Sequence, residues 1–442
     1  MEKLTLKKYL EKLSLQEKTK GPTLQAMEWL MESLGNPQNQ VKCIHVAGTN
    51  GKGSLCEMLS NILMQAGYRV GKYMSPHLLC VNERICINNE PISDEKSAYY
   101  LEKLDKNIQR YNQTHEKQVT YFEVVTALAF LYFAEEKCDV MVIETGLGGL
   151  LDSTNVTKES ISLISTIGYD HMAILGNTLE EIARQKAGII KSQGHTIFVE
   201  QTEEQVNKVI EETCKQKENT LKMIKKEEIQ SIKITDELQL FDYQDYKQIL
   251  VNLKGEKQLS NAAMCIEACH ILHTQGFLIS KQAMYTGLSQ VVHKARFEKL
   301  ASNPTIIFDG AHNENAIFNL KKTIQMYYPK QKKVFILSIL KTKDYQAILQ
   351  SLMQEENSAI YFFTDGINKN RFVAKEELYR VAKNYHRDNL YIASLEEAIT
   401  TARNRFEKEV IYIIGSFYVY PEVLEILKIE TIEKGKEKNA KT

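Results

Sequence analysis

The sequence predicts an α/β protein of two domains, each built on a mainly parallel sheet with helices against it. Three observations carry that expectation. Residues 41–77 run strand, glycine-bracketed loop, helix and second strand, a complete βαβ unit. Short apolar strand-like runs then alternate with helical runs, the pattern of a parallel sheet. The alternation restarts near Thr305 with its own rhythm, and 442 residues exceed one ordinary domain. The expected division is 1–295 for the first domain, 296–430 for the second, and a disordered tail over 431–442, where EKGKEKNAKT lacks apolar residues.

Residues 1–40 predict two short amphipathic helices. Val41, Ile44 and Val46 suit a buried strand. GTNGKGS turns that strand into a helix with Leu55, Met58, Leu59, Ile62 and Leu63 on its apolar face, closed by Gly67. After Ser75-Pro76-His77 the chain predicts a loop and a hairpin around Asn88-Asn89. Helices follow near 94–111 and 122–136. DVMVIE is a buried strand ending in an acid, and residues 162–167 form another, ending in Gly168-Tyr169-Asp170-His171. A helix over 178–186 has Thr178 as N-cap and two glutamates in its first turn. Strand, helix and strand continue to about 200. Residues 221–256 predict a small antiparallel excursion, and helices near 259–275 and 280–291 complete the domain. In the second, strands are expected at 305–309, 333–339, 358–363 and 409–414.

Lys+Arg and Asp+Glu balance at 56 each, so no overall basic field points to nucleic acid. Eight cysteines include no CxxC pair, which favours reduced core thiols over disulfides or zinc. The charged amphipathic start is unlike a signal peptide, and the apolar run over 124–134 is too short to span a bilayer. The expectation is a soluble cytoplasmic protein with small-molecule partners, neither nucleic acid nor membrane, and monomeric by default.

The loop Gly48-Thr49-Asn50-Gly51-Lys52-Gly53-Ser54 offers converging backbone N–H groups, a helix N-terminus and one lysine, which is what a phosphate site needs. The strict Walker pattern is not met: Val46 stands at its first glycine and Gly53 at its Ser/Thr. In open parallel sheets ligands sit beyond the carboxyl ends of strands. Four such ends carry polar chemistry: this loop, Ser75, Glu144, and Asp170-His171. If the strands are neighbours, Lys52 faces a triphosphate, and Ser75, Glu144 and His171 supply ligands for Mg²⁺. Singly, Glu144 could be a salt-bridged strand end and His171 a loop histidine.

GTNGKGS, SPHL with NERI behind it, TYFE, ETGLGG-LDSTN and IGYDHMAILGNTLEEIARQKAGIIK together resemble folylpolyglutamate synthase or the bifunctional dihydrofolate/folylpolyglutamate synthase, of the Mur-ligase superfamily. LKGEKQLSNAAMCIEA, RFE, DGAHNENA, LKTKDY and IIGSFY extend the resemblance over nearly the whole chain. It implies a P-loop-containing parallel-sheet ATPase domain followed by a smaller α/β Mur-ligase-type C-terminal domain. It also implies ATP-dependent addition of L-glutamate to a folate through an acyl phosphate, with dihydropteroate as a second acceptor.

By the same resemblance Ser75 and Glu144 hold one Mg²⁺, and His171 with Glu144 a second. Lys52, His171 and Lys186 are the catalytic residues; Lys186 matches the lysine this superfamily often carbamylates, with an ordinary ammonium as the alternative. Gln258 and Asn261 approach the nucleotide from the first domain, and Arg296, Asp309 and His312 grip it from the second, where Asn313 could equally be a helix cap. Closure over ATP would then complete the site. Folate recognition falls on His77, Arg84, Tyr121, Phe122 and Asp152.

The chain departs from the family pattern at Leu150, Gln185, Ala295, Glu314 and Thr342, where Arg, Glu, Gly, Pro and Asp are usual. These touch recognition rather than the phosphate loop. The alternatives are a peptidoglycan-precursor ligase and a non-catalytic P-loop regulator. NERI and TYFE stand against the first, and a second domain with its own polar loops against the second.

Overall fold

The computed structural model describes residues 5–14, 23–235, 238–354, 358–385 and 388–429. It divides into two compact units. The first comprises Met1–Lys233, Leu238–Asn252 and Lys257–Val292, and the second Ile234–Glu237, Leu253–Glu256 and His293–Thr442. The division thus falls three residues earlier than the sequence placed it, and two short segments expected in the first domain go with the second. The tail over 431–442 lies outside the described residues.

The first unit carries β1 (Lys42–Ala47), β2 (Val70–Tyr73), β3 (Ile85–Ile87), β4 (Glu90–Pro91), β5 (Val140–Glu144), β6 (Ile161–Ile164), β7 (His195–Val199) and β8 (Thr220–Ile224). Their order is β4-β3-β2-β5-β1-β6-β7-β8. All pairings from β2 to β8 are parallel; β3 and β4 add an antiparallel hairpin whose turn places Asn88 and Asn89 at positive φ, as a tight two-residue hairpin turn requires. Strand β1 is central. His45 lies opposite Ile143 and Val46 opposite Glu144 on one side, and Val46 opposite Leu163 on the other. Its side chains from Cys43 to Ala47 are all buried, as expected where helices cover both faces of a parallel sheet.

One apolar cluster joins the sheet to helices Leu6–Ser14, Gln25–Ser33, Asp94–Thr114 and Tyr121–Glu135. Another joins it to Leu179–Ala187 and Glu204–Gln216. Residues 221–224 were expected in the antiparallel excursion. They instead belong to the parallel edge strand β8, because helix Glu204–Gln216 returns the chain beside β7 in a βαβ crossover. The excursion proper is a three-stranded sheet of β9 (Ile229–Ile234), β10 (Gln239–Tyr243) and β11 (Tyr246–Val251).

The second unit holds β12 (Glu298–Ser302), β13 (Thr305–Asp309), β14 (Lys333–Leu337), β15 (Ile360–Phe363), β16 (Leu390–Ile392) and β17 (Val410–Ile414), in the order β12-β13-β17-β14-β15-β16. The four inner strands are those the sequence predicted. The two edge strands were not expected, and both lack a buried apolar run: β12 pairs antiparallel with a bulge, and β16 has only three residues.

Helix Lys281–Gln290 packs on helix Lys52–Gln65 at Gly287, where an added Cβ would lie 2.6 Å from Ile62 Cα; Asn61 Nδ2 donates to the Gly287 carbonyl at 2.7 Å. Helix propensity alone would make Gly287→Ala stabilising by about 1 kcal/mol. Overpacking two backbones costs about 1–3 kcal/mol. Gly287→Ala should therefore destabilise the first unit, read as a lower urea midpoint; a higher midpoint would mean that the helices separate freely.

Candidate active site

The four polar strand ends do lie side by side. In the order β2-β5-β1-β6, Ser75 follows β2, Glu144 ends β5, the loop 48–54 follows β1, and Asp170-His171 follow β6. This is the carboxyl edge of the sheet, where parallel strands deliver ligand-binding loops.

The phosphate loop is braced by the segment after β6. Thr49 N donates to the Thr166 carbonyl at 2.8 Å, and Thr49 Oγ1 exchanges hydrogen bonds with the Gly168 carbonyl and N–H, both at 3.0 Å. Ser165 Oγ donates to the Asn50 carbonyl at 2.7 Å. Gly48 has φ +149 and a Cβ there would collide with Ser165 Oγ, so no other residue fits. Gly51 caps the helix that begins at Lys52. The Gly53 and Ser54 side-chain positions are buried in its first turn, and Gln258 Nε2 reaches Ser54 Oγ at 3.4 Å. Asn261 Nδ2 donates to Gln258 Oε1 at 3.0 Å. Ser165 and Thr166 were missed in the sequence; a hydroxyl pair at a strand end beside a phosphate loop was the available signal.

Two lysines meet at this loop. Lys52 Nζ donates to the Gly48 carbonyl at 3.1 Å, and Lys186 Nζ to the same oxygen at 2.8 Å. Lys186 is buried, and burial together with the Lys52 charge lowers its pKa to about 7, against the pull of Asp170 and Asp152. Its helix, Leu179–Ala187, opens on a Thr178–Glu181 capping box.

Glu144 is 4% exposed, and one of its carboxylate oxygens accepts from Ser75 N at 3.0 Å. His171 sits at positive φ at the head of a four-residue helix, exposed, with Nε2 3.7 Å from Asp170 Oδ1. The glycine-rich loop between β5 and β6 is held from within. Asp152 Oδ2 accepts from Leu147 N at 2.8 Å and Oδ1 from Thr154 N at 3.0 Å. Asn155 Nδ2 donates to the Leu150 and Gly188 carbonyls, both at 3.1 Å, which ties this loop to the end of the Lys186 helix. Asp152, expected at the folate, is buried and holds its own loop; burial raises its pKa while these donors oppose the rise.

Of the other expected folate residues, Arg84 Nε donates to His77 Nδ1 at 3.0 Å, and its guanidinium lies 5.4 Å from the Tyr121 ring centroid. Burial and Arg84 lower the His77 pKa to about 4, so its ring stays neutral and accepting. These three form one group. Phe122 covers Gly146, and its ring centroid lies 6.0 Å from that of Tyr73.

In the second unit, Arg296 stacks 4.5 Å from the Phe417 ring centroid, and His312 meets the same ring edge-on at 5.7 Å. Asp309 accepts from Phe297 N and Ala311 N, each at 2.8 Å, and so closes the turn that carries Arg296. Burial raises its pKa against Arg296 and these donors. Asn313 is the N-cap of helix Glu314–Tyr327, accepting from Ala316 N at 2.8 Å.

The Mur ligase middle domain matches residues 46–269 and the C-terminal domain of dihydrofolate synthetase matches 293–426. A dihydrofolate synthase/folylpolyglutamate synthase of Bacillus subtilis is 34% identical over 422 residues, 92% of this chain and 95% of the relative. The chain belongs to that family. A dihydrofolate synthetase of Saccharomyces cerevisiae is 31% identical over 90% of the chain and 96% of its own length. The crystal structure of a Mycobacterium tuberculosis folylpolyglutamate synthase complexed with ADP and AMPPCP superposes with TM-score 0.86 at 26% identity, covering 96% of this chain and 98% of that one. An Escherichia coli FolC in complex with DHPP and ADP superposes at 0.83, also at 26% identity, over 96% of this chain and 98% of that one. The family is one of ATP-dependent ligases, and the two-domain α/β architecture is its fold.

The depressed Lys186 pKa has a stability consequence. Between its value of about 7 in the folded protein and the ordinary 10.5, the unfolded chain binds a proton that the folded protein does not. Folding stability due to this group therefore rises with pH across that window. Urea titrations of wild type and Lys186→Met should show the wild type gaining on the variant from pH 7 towards 10. A constant difference would mean that Lys186 titrates normally.

Proposed function

We propose that this chain is an ATP-dependent ligase that adds L-glutamate to a folate, and to dihydropteroate as a second acceptor. The observation that carries the reading is the order β2-β5-β1-β6, which brings a phosphate loop, two lysines and a buried carboxylate to one sheet edge. The second acceptor is favoured by the dihydrofolate synthetase C-terminal match over 293–426.

A carboxylate is a poor electrophile because its charge repels an amine. In the proposed reaction a carboxylate oxygen of the acceptor attacks the γ-phosphorus of ATP, and ADP leaves. The resulting acyl phosphate is attacked at carbon by the glutamate amine, and the tetrahedral species collapses to amide and inorganic phosphate. The protein's part is positioning and charge neutralisation. The loop 48–54 presents backbone N–H groups to the phosphates, and Lys52 leaves the Gly48 carbonyl to follow them. Lys186, whose proton burial makes easier to lose, is the amine that a carbamate would form on, turning a cation into an oxygen donor. Arg84 and Tyr121, with His77, offer a flat cationic–aromatic surface to a heterocycle, and Phe122 and Asp152 support it by holding the neighbouring loop. Gln258, Asn261, Arg296, Asp309 and His312 are assigned to the nucleotide.

Glu144 and Ser75 fit Mg²⁺, a hard cation that takes carboxylate and hydroxyl oxygens, and a buried carboxylate at a strand end suits a positive charge. They would hold one ion; Glu144 with His171 would hold a second. Bound there, Mg²⁺ would screen phosphate charge. Among the described residues no helix is long and apolar enough to cross a membrane. We assign the protein to the cytoplasm as a monomer acting on small molecules.

Phosphate release from ATP with L-glutamate, offering tetrahydrofolate and dihydropteroate separately, tests the reading. Release with both acceptors is expected; release with neither would overturn it. Lys52→Ala should lower kcat by about 10²–10³, as loss of one transition-state charge donor does, and near-normal turnover would remove the loop from the mechanism. Lys186→Ala should be inactive and partly restored by a small carboxylate; a fully active variant would end the carbamate assignment.

A further inference from the structure

We infer that His45 is a positioning residue for this reaction, fastening the loop that follows Glu144 to the strand that carries the phosphate loop. The kinetic part of the inference rests on the ligase reading; the geometric part does not.

His45 is fully buried in the middle of β1, opposite Ile143 of β5. Its Nε2 lies 2.8 Å from Thr154 Oγ1, and that hydroxyl lies 2.5 Å from Asp152 Oδ1. The carboxylate can only accept, so the hydroxyl proton points to Asp152 and the Thr154 oxygen accepts from His45 Nε2–H. That fixes the tautomer, leaving Nδ1 as a bare acceptor. Nδ1 is buried without a hydrogen-bond partner. An apolar residue would fill this strand position without that cost, so the donor at Nε2 has a use.

The neighbours of Thr154 in the loop show that use. Asp152 holds Leu147 N, and Asn155 holds the Leu150 and Gly188 carbonyls. One imidazole N–H therefore sets the hydroxyl that sets the carboxylate that shapes the loop behind Glu144. The next residue, Asn155, joins that loop to the helix end beyond Lys186. Burial and the nearby Lys191 charge hold the ring neutral, with a pKa lowered to about 3, so the donor does not change character across the pH range of a cell. His45 touches no expected substrate position; it acts through Thr154 and Asp152.

The test uses the full chain with His45→Leu, which has no donor, His45→Gln, which restores an N–H, and Thr154→Val, which removes the hydroxyl. Thermal unfolding and ADP binding check that each is folded with an intact phosphate loop. His45→Leu and Thr154→Val should each lower kcat/KM for the folate acceptor by about 10–100-fold, the range typical of residues that orient a functional group, with ADP affinity within about twofold. His45→Gln should recover most of the loss. The double variant should be no worse than the worse single, because both break one chain of hydrogen bonds. Additive losses, or wild-type kinetics in a folded His45→Leu, would overturn the inference. Histidine ¹⁵N spectra, with His45 assigned by its loss in His45→Gln, give a readout independent of activity. A neutral Nε2–H ring from pH 8 to 5 is expected, and titration near pH 6.5 would overturn the inference. If the wild type releases no phosphate with any acceptor while the ring stays neutral, the ligase reading alone has failed.

Discussion

Two ammonium groups converge on one carbonyl oxygen, that of Gly48, and the first unit is arranged around that contact. Lys52 reaches it from the helix after the loop, and Lys186 from a helix that begins more than a hundred residues later. Two like charges at one dipole repel, and burial makes the repulsion stronger than it would be in water. The carboxyl edge is built for anions: converging N–H groups and a helix N-terminus add positive potential to the same spot and so disfavour two cations there further until an anion arrives. One lysine answers by giving up its proton readily, the other by keeping a flexible four-carbon reach. A triphosphate would relieve the repulsion, which is a reason for the loop to bind one.

The motifs that identify the family turn out to divide their letters between architecture and chemistry. In TYFE, Thr120 and Glu123 form a capping box, with Thr120 N donating to Glu123 at 2.7 Å, while Tyr121 faces Arg84 and Phe122 covers a glycine. In NERI, Glu83 collects the backbone N–H groups of Leu78, Leu79 and Cys80, and only Arg84 carries charge towards the aromatic ring. In LDSTN, Asp152, Thr154 and Asn155 all hold backbone or one another. Reading such a motif as a row of contacts to substrate would assign too many of its residues.

That division explains what was legible in the sequence. DVMVIE was legible because burial on both faces leaves a nearly continuous apolar run, and VKCIHVA from Val41, Ile44 and Val46 in spite of Lys42 and His45; their adjacency could be stated only as a condition. The order β2-β5-β1-β6 comes from crossovers that periodicity does not encode. Edge strands β12 and β16 were not legible, since half-exposed β12 carries no apolar run and β16 has only three residues. The phosphate loop was legible from its glycines and lysine, whereas its brace, Ser165 and Thr166, lies over a hundred residues away and looks like any polar strand end. The departure at Ala295 also acquires a physical meaning. Ala295 and Phe297 both hold positive φ on either side of Arg296, a conformation that glycine adopts without strain and that costs a side-chain-bearing residue about 1–2 kcal/mol. Arg296 is therefore aimed by a forced turn of backbone, which Asp309 and Glu298 clamp.

The central place of β1 bears on how the molecule comes into being. Its two neighbours, β5 and β6, lie about a hundred residues further along the chain, and parallel pairing over such separations is slow because loop closure precedes any gain from contact. During synthesis the earliest βαβ segment must wait, with the apolar flanks of β1 uncovered, until the ribosome has released the chain through β6. The nucleotide loop is thus made well before the strands that complete its site, and a product truncated before β5 would expose a sticky strand rather than a partial active site.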